Sequence, residues 1–320
     1  MKKIFLAALA VSLLGFNLFP GQVEKKELSG NITISGAWAL YPMALKWAEE
    51  FQKIYPNVRI DVQAGGAGKG ITDVLAGVVD IGMVSRGVYP EEIAKGALAL
   101  AVVKDAVVPT ISEKNPFLGK ILKMGLKREK CVDIWVTKTI KTWGEVLETE
   151  DKASLHTYTR SDACGAAETW AEFLGKRQED LQGVGVYGDP GVADAVKRDA
   201  LGIGYNNINY AYDAKTKRPV KGIMIAPLDL NGNGLIDSAE DFYSTRDEIT
   251  QAIAKDAYPS PPARDLYFVT YGQPKKKAVL EFIKWVLTEG QKYAPETGYL
   301  PLSQEKLAQG LEKIGVSIEK

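Results

Sequence analysis

Three times in this chain a short strand-like run ends in a glycine-bearing turn that opens a helix. That repeated unit limits the possible folds more than any other feature. Asn31-Ile-Thr-Ile-Ser35 runs into Gly36, and behind it Leu40, Met43, Ala44, Trp47, Phe51 and Ile54 recur at helical spacing as one apolar face. Tyr55-Pro56-Asn57 stops that helix, because a residue before proline is pushed out of helical geometry. Val58-Arg-Ile-Asp-Val62 is the next strand, and Gly65-Gly-Ala-Gly-Lys-Gly70 leads from it into a helix through Ile71, Val74 and Leu75. Val79-Asp-Ile-Gly-Met83 is strand-like and ends at Ser85-Arg86. Alternating strands and helices of this kind predict an α/β architecture.

The third unit comes later. His156-Thr-Tyr-Thr-Arg160 is a strand leading into Ser161-Asp-Ala-Cys-Gly-Ala-Ala167, with a helix through Trp170, Ala171 and Leu174 behind it. Between the units, Leu98 to Val108 is an apolar run that carries the chain out of the first region. Asp133–Thr137 and Thr142–Glu145 belong to the second region, with further strands at Ile203–Tyr205 and Gly222–Ala226. Pro259-Ser-Pro-Pro262 is a stiff linker, followed by a strand at Leu266–Thr270 and an amphipathic helix over Val279–Leu287. A chain of 320 residues has room for two ordinary domains or one large one.

The 40 basic and 40 acidic side chains cancel, which excludes the basic excess of a general nucleic-acid binder. Any anion site must then come from local geometry. At the N-terminus Lys2 and Lys3 precede an apolar run from Ile4 to Leu14, too short to span a bilayer comfortably. This is the pattern of a secretory signal and leader over residues 1–25, with cleavage near Gly21; an uncleaved anchor is the alternative. The protein is therefore expected to be periplasmic or extracellular, and a monomer. Export permits a disulfide between Cys131 and Cys164, but the sequence leaves open whether they pair or stay free.

Each glycine-bearing turn opens a helix, and a helix start offers unpaired N–H groups and a partial positive charge. Glycine lets the backbone approach a ligand closely. The three turns are thus candidate anion sites, with Arg86 and Arg160 at neighbouring strand ends as guanidinium forks for an oxyanion. The Gly65–Gly70 turn lacks the Lys-Ser/Thr ending of a nucleotide-binding loop. Asp162 is expected to cap the helix that follows it.

In their order, Gly36-Ala-Trp-Ala-Leu-Tyr-Pro42, the Gly65–Gly70 turn, Val79–Arg86 and Arg160-Ser-Asp-Ala-Cys-Gly-Ala166 resemble the periplasmic phosphate-binding proteins, receptors of ABC transporters. The resemblance extends to Pro261-Pro-Ala-Arg-Asp-Leu-Tyr-Phe268 and the helix behind it, so it covers nearly all of the mature chain. It implies a two-lobed type II periplasmic binding fold with two hinge crossovers. Lobe 1 would comprise residues 26–108 with 262–320, and lobe 2 residues 109–261. A small anion would sit in the cleft, held near Ala37, Trp38, Gly66, Ala67, Ser85, Arg86, Arg160, Cys164, Gly165 and Ala166, and an ABC permease would be the partner. The chain departs from the family pattern at Ala37, Trp38, Ala67, Cys164 and Ala166, where hydroxyl donors are usual. It departs again at Ser85, where some members carry an aspartate that accepts the phosphate proton. These changes leave an anion expected but put phosphate itself in question.

Asp229-Leu-Asn-Gly-Asn-Gly-Leu-Ile-Asp-Ser-Ala-Glu240 matches the EF-hand calcium loop. Asp229, Asn231 and Asn233 take the first ligand positions, Gly234 the sharp turn and Leu235 the carbonyl. Asp237 would act through water, and Glu240 is the expected bidentate ligand. A strand-like segment precedes the loop, which suits a structural calcium staple in the second lobe. Two further functions fit parts of the sequence. One is a solute sensor for a signalling partner. The other is an enzyme using Cys164 as a nucleophile with His156, the only histidine, although no third residue to orient the pair is evident.

Overall fold

The computed structural model describes residues 27–316; the leader expected over 1–25 lies outside the described residues. Eleven strands run along the described chain: β1 Ser29–Gly36, β2 Asn57–Ala64, β3 Ile81–Val84, β4 Ala97–Ser112, β5 Leu126–Lys127, β6 His156–Arg160, β7 Val184–Val186, β8 Gly202–Asn207, β9 Ile223–Ile225, β10 Leu228–Asp229 and β11 Ala263–Tyr271. Nine of them form one continuous sheet in the order β2-β1-β3-β11-β4-β8-β6-β7, with β9 also pairing β4; β10 and β5 form a separate two-stranded pair. β1 is parallel to β2 along its whole length and parallel to β3, while β11 inserts antiparallel between β3 and β4. Helices connect the parallel strands, as a parallel pair requires.

Two large apolar cores separate along this sheet, and a third, small cluster of Val192, Val196 and Ile223 lies in the second lobe. The first is built from residues between Leu28 and Val103 together with Leu266 to Ile314. Its aromatic centre sets Trp47 edge-on to Phe268, and Phe51 edge-on to Phe282 and Trp285. The second core runs from Ala106 to Ala263, joined by Leu300 from the tail, and centres on Trp135, Trp170 and Tyr205. Each such fully buried apolar side chain contributes roughly 1.5–3 kcal/mol before the entropy of ordering the chain is set against it.

β4 links the two lobes. It pairs with β11 up to Ala106 and with β8 from Val107 onward. From Val107 to Ser112 it is buried on both faces, so no exposed position alternates with its apolar residues, and even Thr110 and Ser112 are buried. The return crossover is Pro259–Pro262. The two crossovers bond to each other: the Val107 N–H donates to the Pro262 carbonyl at 3.1 Å, and the Tyr258 hydroxyl donates to the Val107 carbonyl at 2.6 Å. β11 starts at Ala263, directly behind the prolines and three residues earlier than Leu266, because its first residues pair with Lys104, Asp105 and Ala106 of β4. Among the described residues no helix is long and apolar enough to cross a membrane.

Candidate anion site

The first two glycine turns are bonded into one surface. Gly36 has φ +132°, and a Cβ there would lie 2.3 Å from the Met83 carbonyl oxygen, so only glycine fits. The Gly36 carbonyl accepts from the N–H groups of Gly65 and Gly66 at 2.8 and 3.0 Å, and the Ala37 N–H donates to the Met83 carbonyl at 2.9 Å. Ala37 and Ala67 are buried; Trp38 is half-buried, and its indole Nε1 is enclosed with no hydrogen-bond partner. The helix Ala67–Leu75 starts inside the glycine turn, and the helix Tyr41–Ile54 follows one short turn at Trp38–Leu40.

In the second lobe, β6 ends at Arg160 and the helix Gly165–Phe173 begins five residues later. Its cap is Cys164, whose Sγ accepts from the Ala167 N–H at 3.4 Å. Asp162 is therefore not the cap that the sequence suggested. Its carboxylate is drawn instead to Arg160, receiving Nε at 2.8 Å and Nη2 at 2.6 Å, and it also accepts the Gly188 N–H at 3.1 Å. Asp189 takes Arg160 Nη1 at 2.5 Å and the Asn207 N–H at 3.0 Å. Burial pulls the guanidinium down, but Asp189 and Asp162 outweigh it and hold its pKa well above the usual arginine value. Three of its five N–H donors are committed to carboxylates and two are left over. Gln178 ties the turn from behind: its Nε2 donates to the Asp162 carbonyl and its Oε1 accepts from the Cys164 N–H.

The turns of the two lobes meet directly. A Cβ on Gly165 would lie 2.3 Å from Ser85 Oγ, which places the end of β3 against the start of the second-lobe helix. The Gly68 N–H donates to the Ala163 carbonyl at 3.1 Å, and a Cβ on Gly66 would lie 3.0 Å from that same oxygen. Trp38 stands edge-on to Tyr187, packs on Gly188, and accepts the Tyr210 hydroxyl on its carbonyl at 3.0 Å. The lobes are closed on one another.

Nine of the ten expected contact residues lie in these turns or at this junction. Arg86 is placed differently. Both its Nη atoms bond Glu92, at 2.9 and 2.7 Å, and its guanidinium lies 4.0 Å from the centre of the Tyr89 ring. The Tyr89 hydroxyl crosses the junction to donate to Glu168 at 3.0 Å. Arg86 thus steadies a clasp between the lobes.

The nucleophile reading of Cys164 fails on geometry and charge. Both cysteines are free and buried. Burial pushes the Cys164 thiol up to about 12, the opposite of what thiolate chemistry needs. His156 is exposed and its Nδ1 pairs with Asp199 at 2.7 Å.

Arg264, buried at the start of β11, went unnoticed in the sequence. Nε bonds Asp105 of β4 at 3.0 Å, Nη1 reaches the Gly165 carbonyl and Thr169, and Nη2 reaches Asn207. It connects both hinge strands to the helix that faces Ser85. The one signal for it was a pair of charged residues, Arg264 and Asp265, at the start of a mostly apolar strand. The expected calcium ligands Asp229, Asn231, Asn233, Leu235, Asp237 and Glu240 share one loop of the second lobe, beside β10. Among the described residues no three His, Cys, Asp or Glu side chains gather as a metal cluster.

A family model described as a PBP superfamily domain matches residues 22–289. The phosphate-binding protein PstS of Methanocaldococcus jannaschii is 26% identical, covering 92% of this chain and 89% of that protein. PstS of Pseudomonas aeruginosa is 25% identical over 93% of this chain and 91% of its own length. Among solved structures, a phosphate ABC transporter substrate-binding protein with bound phosphate from Clostridium perfringens aligns with TM-score 0.70 at 21% identity, covering 86% of this chain and all of that one. A phosphate transport receptor from Vibrio cholerae aligns at TM-score 0.62 and 21% identity, covering 85% of this chain and all of that one. The fold is the type II periplasmic binding fold that the resemblance implied.

Proposed function

This chain belongs to the PBP superfamily, and from that membership we propose that it is an extracytoplasmic solute-binding protein. It would capture phosphate, or a closely related small oxyanion, for an ABC importer by closing its lobes, acting as a monomer outside the cytoplasm and not as an enzyme. The observation that carries this reading is the convergence of three glycine turns from two lobes beside a buried arginine. The relatives named for phosphate binding support the choice of anion.

The donors are few and specific. The N–H groups of Gly165 and Ala166 are first-turn donors without intrahelical partners. Arg160 keeps two N–H groups, and Trp38 Nε1 is unpaired at the same junction. These replace the side-chain hydroxyls that the turns lack. Ser85 Oγ can accept a hydrogen bond from a protonated ligand oxygen or donate one to an ionised oxygen, so it serves a protonated oxyanion without repelling a fully ionised one. An aspartate there would repel sulfate; a serine does not. The site is therefore expected to favour phosphate over sulfate by a narrower margin than a site carrying that aspartate.

The test is calorimetric titration of the ligand-stripped protein with phosphate, arsenate, sulfate, molybdate, tungstate and small carboxylates. Phosphate and arsenate are expected to bind at one site per chain, with sulfate as a measurable competitor. If none of these anions binds, the proposal is wrong. Replacing Trp38 by Phe, which keeps the ring but removes its donor, is expected to weaken binding about tenfold, the worth of roughly 1.4 kcal/mol.

A further inference from the structure

The loop Asp229–Glu240 takes no part in the cleft, yet it contains a buried defect that a cation would repair. Glu240 is 4% exposed. Its Oε1 accepts from the N–H groups of Leu230 and Asn231 at 2.7 and 2.8 Å, so the carboxylate is folded back over the opening of the loop. Its Oε2 is enclosed and has no hydrogen-bond partner at all. A buried carboxylate oxygen left without a partner is strongly unfavourable, and a cation beside it supplies the contact it lacks.

We propose that the loop is a calcium site, with Glu240 as the bidentate ligand that closes it. The other donors lie on the same tight turn, where backbone hydrogen bonds hold Asp229, Asn231 and Asn233. Asp229 accepts the N–H groups of Gly232 and Gly234 at 2.7 and 2.8 Å, which sets its carboxylate at the head of the loop. Gly234, at φ +82°, makes the sharp turn. Across the loop Asn231 Nδ2 touches Asp237 Oδ2 at 3.0 Å, a contact that an ion between the two side chains replaces.

The direct donor set is entirely oxygen: carboxylates of Asp229 and Glu240, amides of Asn231 and Asn233, and the Leu235 carbonyl, with Asp237 reaching the ion through a water. Only two of the direct ligands are acidic side chains, so the site does not need three acids gathered on one ion. A hard set of six or more oxygens on a flexible loop suits calcium, whereas magnesium demands a smaller and stricter octahedron, and zinc prefers nitrogen and sulfur. The loop is anchored where the ion would matter. The Ile236 N–H donates to the Lys123 carbonyl at 2.8 Å, and Leu228 and Asp229 pair with Leu126 and Lys127. Calcium would thus fasten the loop to the second-lobe segment that includes β5.

The experiment is calcium titration of the full chain after chelator treatment, followed by calorimetry and thermal melting, with no anion added. One calcium per chain is expected, with a Kd of roughly 10⁻⁶–10⁻³ M, a melting point raised by several degrees, and magnesium at least tenfold weaker. No binding up to about 10 mM calcium overturns the proposal, since extracellular calcium sites saturate below that. Glu240→Gln is expected to weaken calcium at least tenfold; unchanged affinity in that variant would place any bound ion elsewhere and also overturn it. Should Glu240→Gln fail to fold, Asp237→Asn on the exposed rim gives the same reading, with a smaller loss expected and an unchanged Kd again decisive.

Discussion

A Cβ placed on Gly165 would stand 2.0 Å from the carbonyl oxygen of Ser85, although the two residues belong to different lobes. No side-chain movement relieves that contact, because the obstructing atom is backbone. The glycine is needed for closure and not for the fold of its own lobe, since the position begins a helix and alanine is the better helix former.

Gly165→Ala should therefore keep the second lobe folded while preventing the lobes from meeting. Phosphate affinity is expected to fall at least 100-fold, equivalent to about 2.7 kcal/mol. Far-UV circular dichroism should be unchanged. Small-angle scattering with saturating phosphate should keep the open radius, and a wild-type contraction in the variant would show that the contact is not the closing one.

Arg160 calls for a conservative substitution. Truncating it to alanine would leave Asp189, buried and 1% exposed, without its counter-charge, and breaking a buried pair in this way costs roughly 3–5 kcal/mol. Loss of binding could then not be separated from loss of fold. Arg160→Lys keeps the positive charge but not the planar fork that spans Asp162 and Asp189 while offering two further N–H groups. Phosphate affinity is expected to drop by about 100-fold with the melting point within a few degrees of wild type. Retained affinity, read by calorimetry, would remove Arg160 from the site.

The strands, the turns and their order were legible because each rests on local chemistry: apolar periodicity, a glycine at a positive φ, a proline that stops a helix. What was not legible depends on partners far away in sequence. Arg86 and Arg160 look alike on the page, each a basic residue at a strand end. Glu92 and the Tyr89 ring occupy the first, while Asp189, 29 residues on, orients the second. Asp162 reads as a helix cap until Arg160 is seen to claim its carboxylate. Arg264 meets Asp105 across 159 residues, and no pattern in one sequence announces such a pair.

The Tyr89–Glu168 contact is a clasp that joins the two lobes in this closed structure. Its hydroxyl bond is partly exposed and should contribute about 1 kcal/mol. Tyr89→Phe is expected to raise the dissociation rate of phosphate about fivefold in stopped-flow measurement, with little change in association, because the clasp forms after capture. Equal slowing of association would place the residue on the entry path instead.

The hinge carries a pH dependence of its own. Asp105 is fully buried, one of its oxygens has no partner, and burial pushes its carboxyl up to about 6 from 3.8, with Asp189 adding to the rise and Arg264 opposing it. The folded protein therefore holds this proton over a range in which the unfolded chain has released it. The stabilisation linked to that proton is full below about pH 3.8, declines as pH rises, and is lost above about 6, a change of about 3 kcal/mol. Asp105→Asn removes the titration but leaves an oxygen to accept Arg264 Nε. Compared by urea unfolding, the variant should gain on wild type as the pH rises from 4 to 7, since only wild type must bury a charge at the higher pH. A difference between the two proteins that stays constant across that range would mean that Asp105 remains ionised in the folded hinge throughout, with Arg264 offsetting its burial.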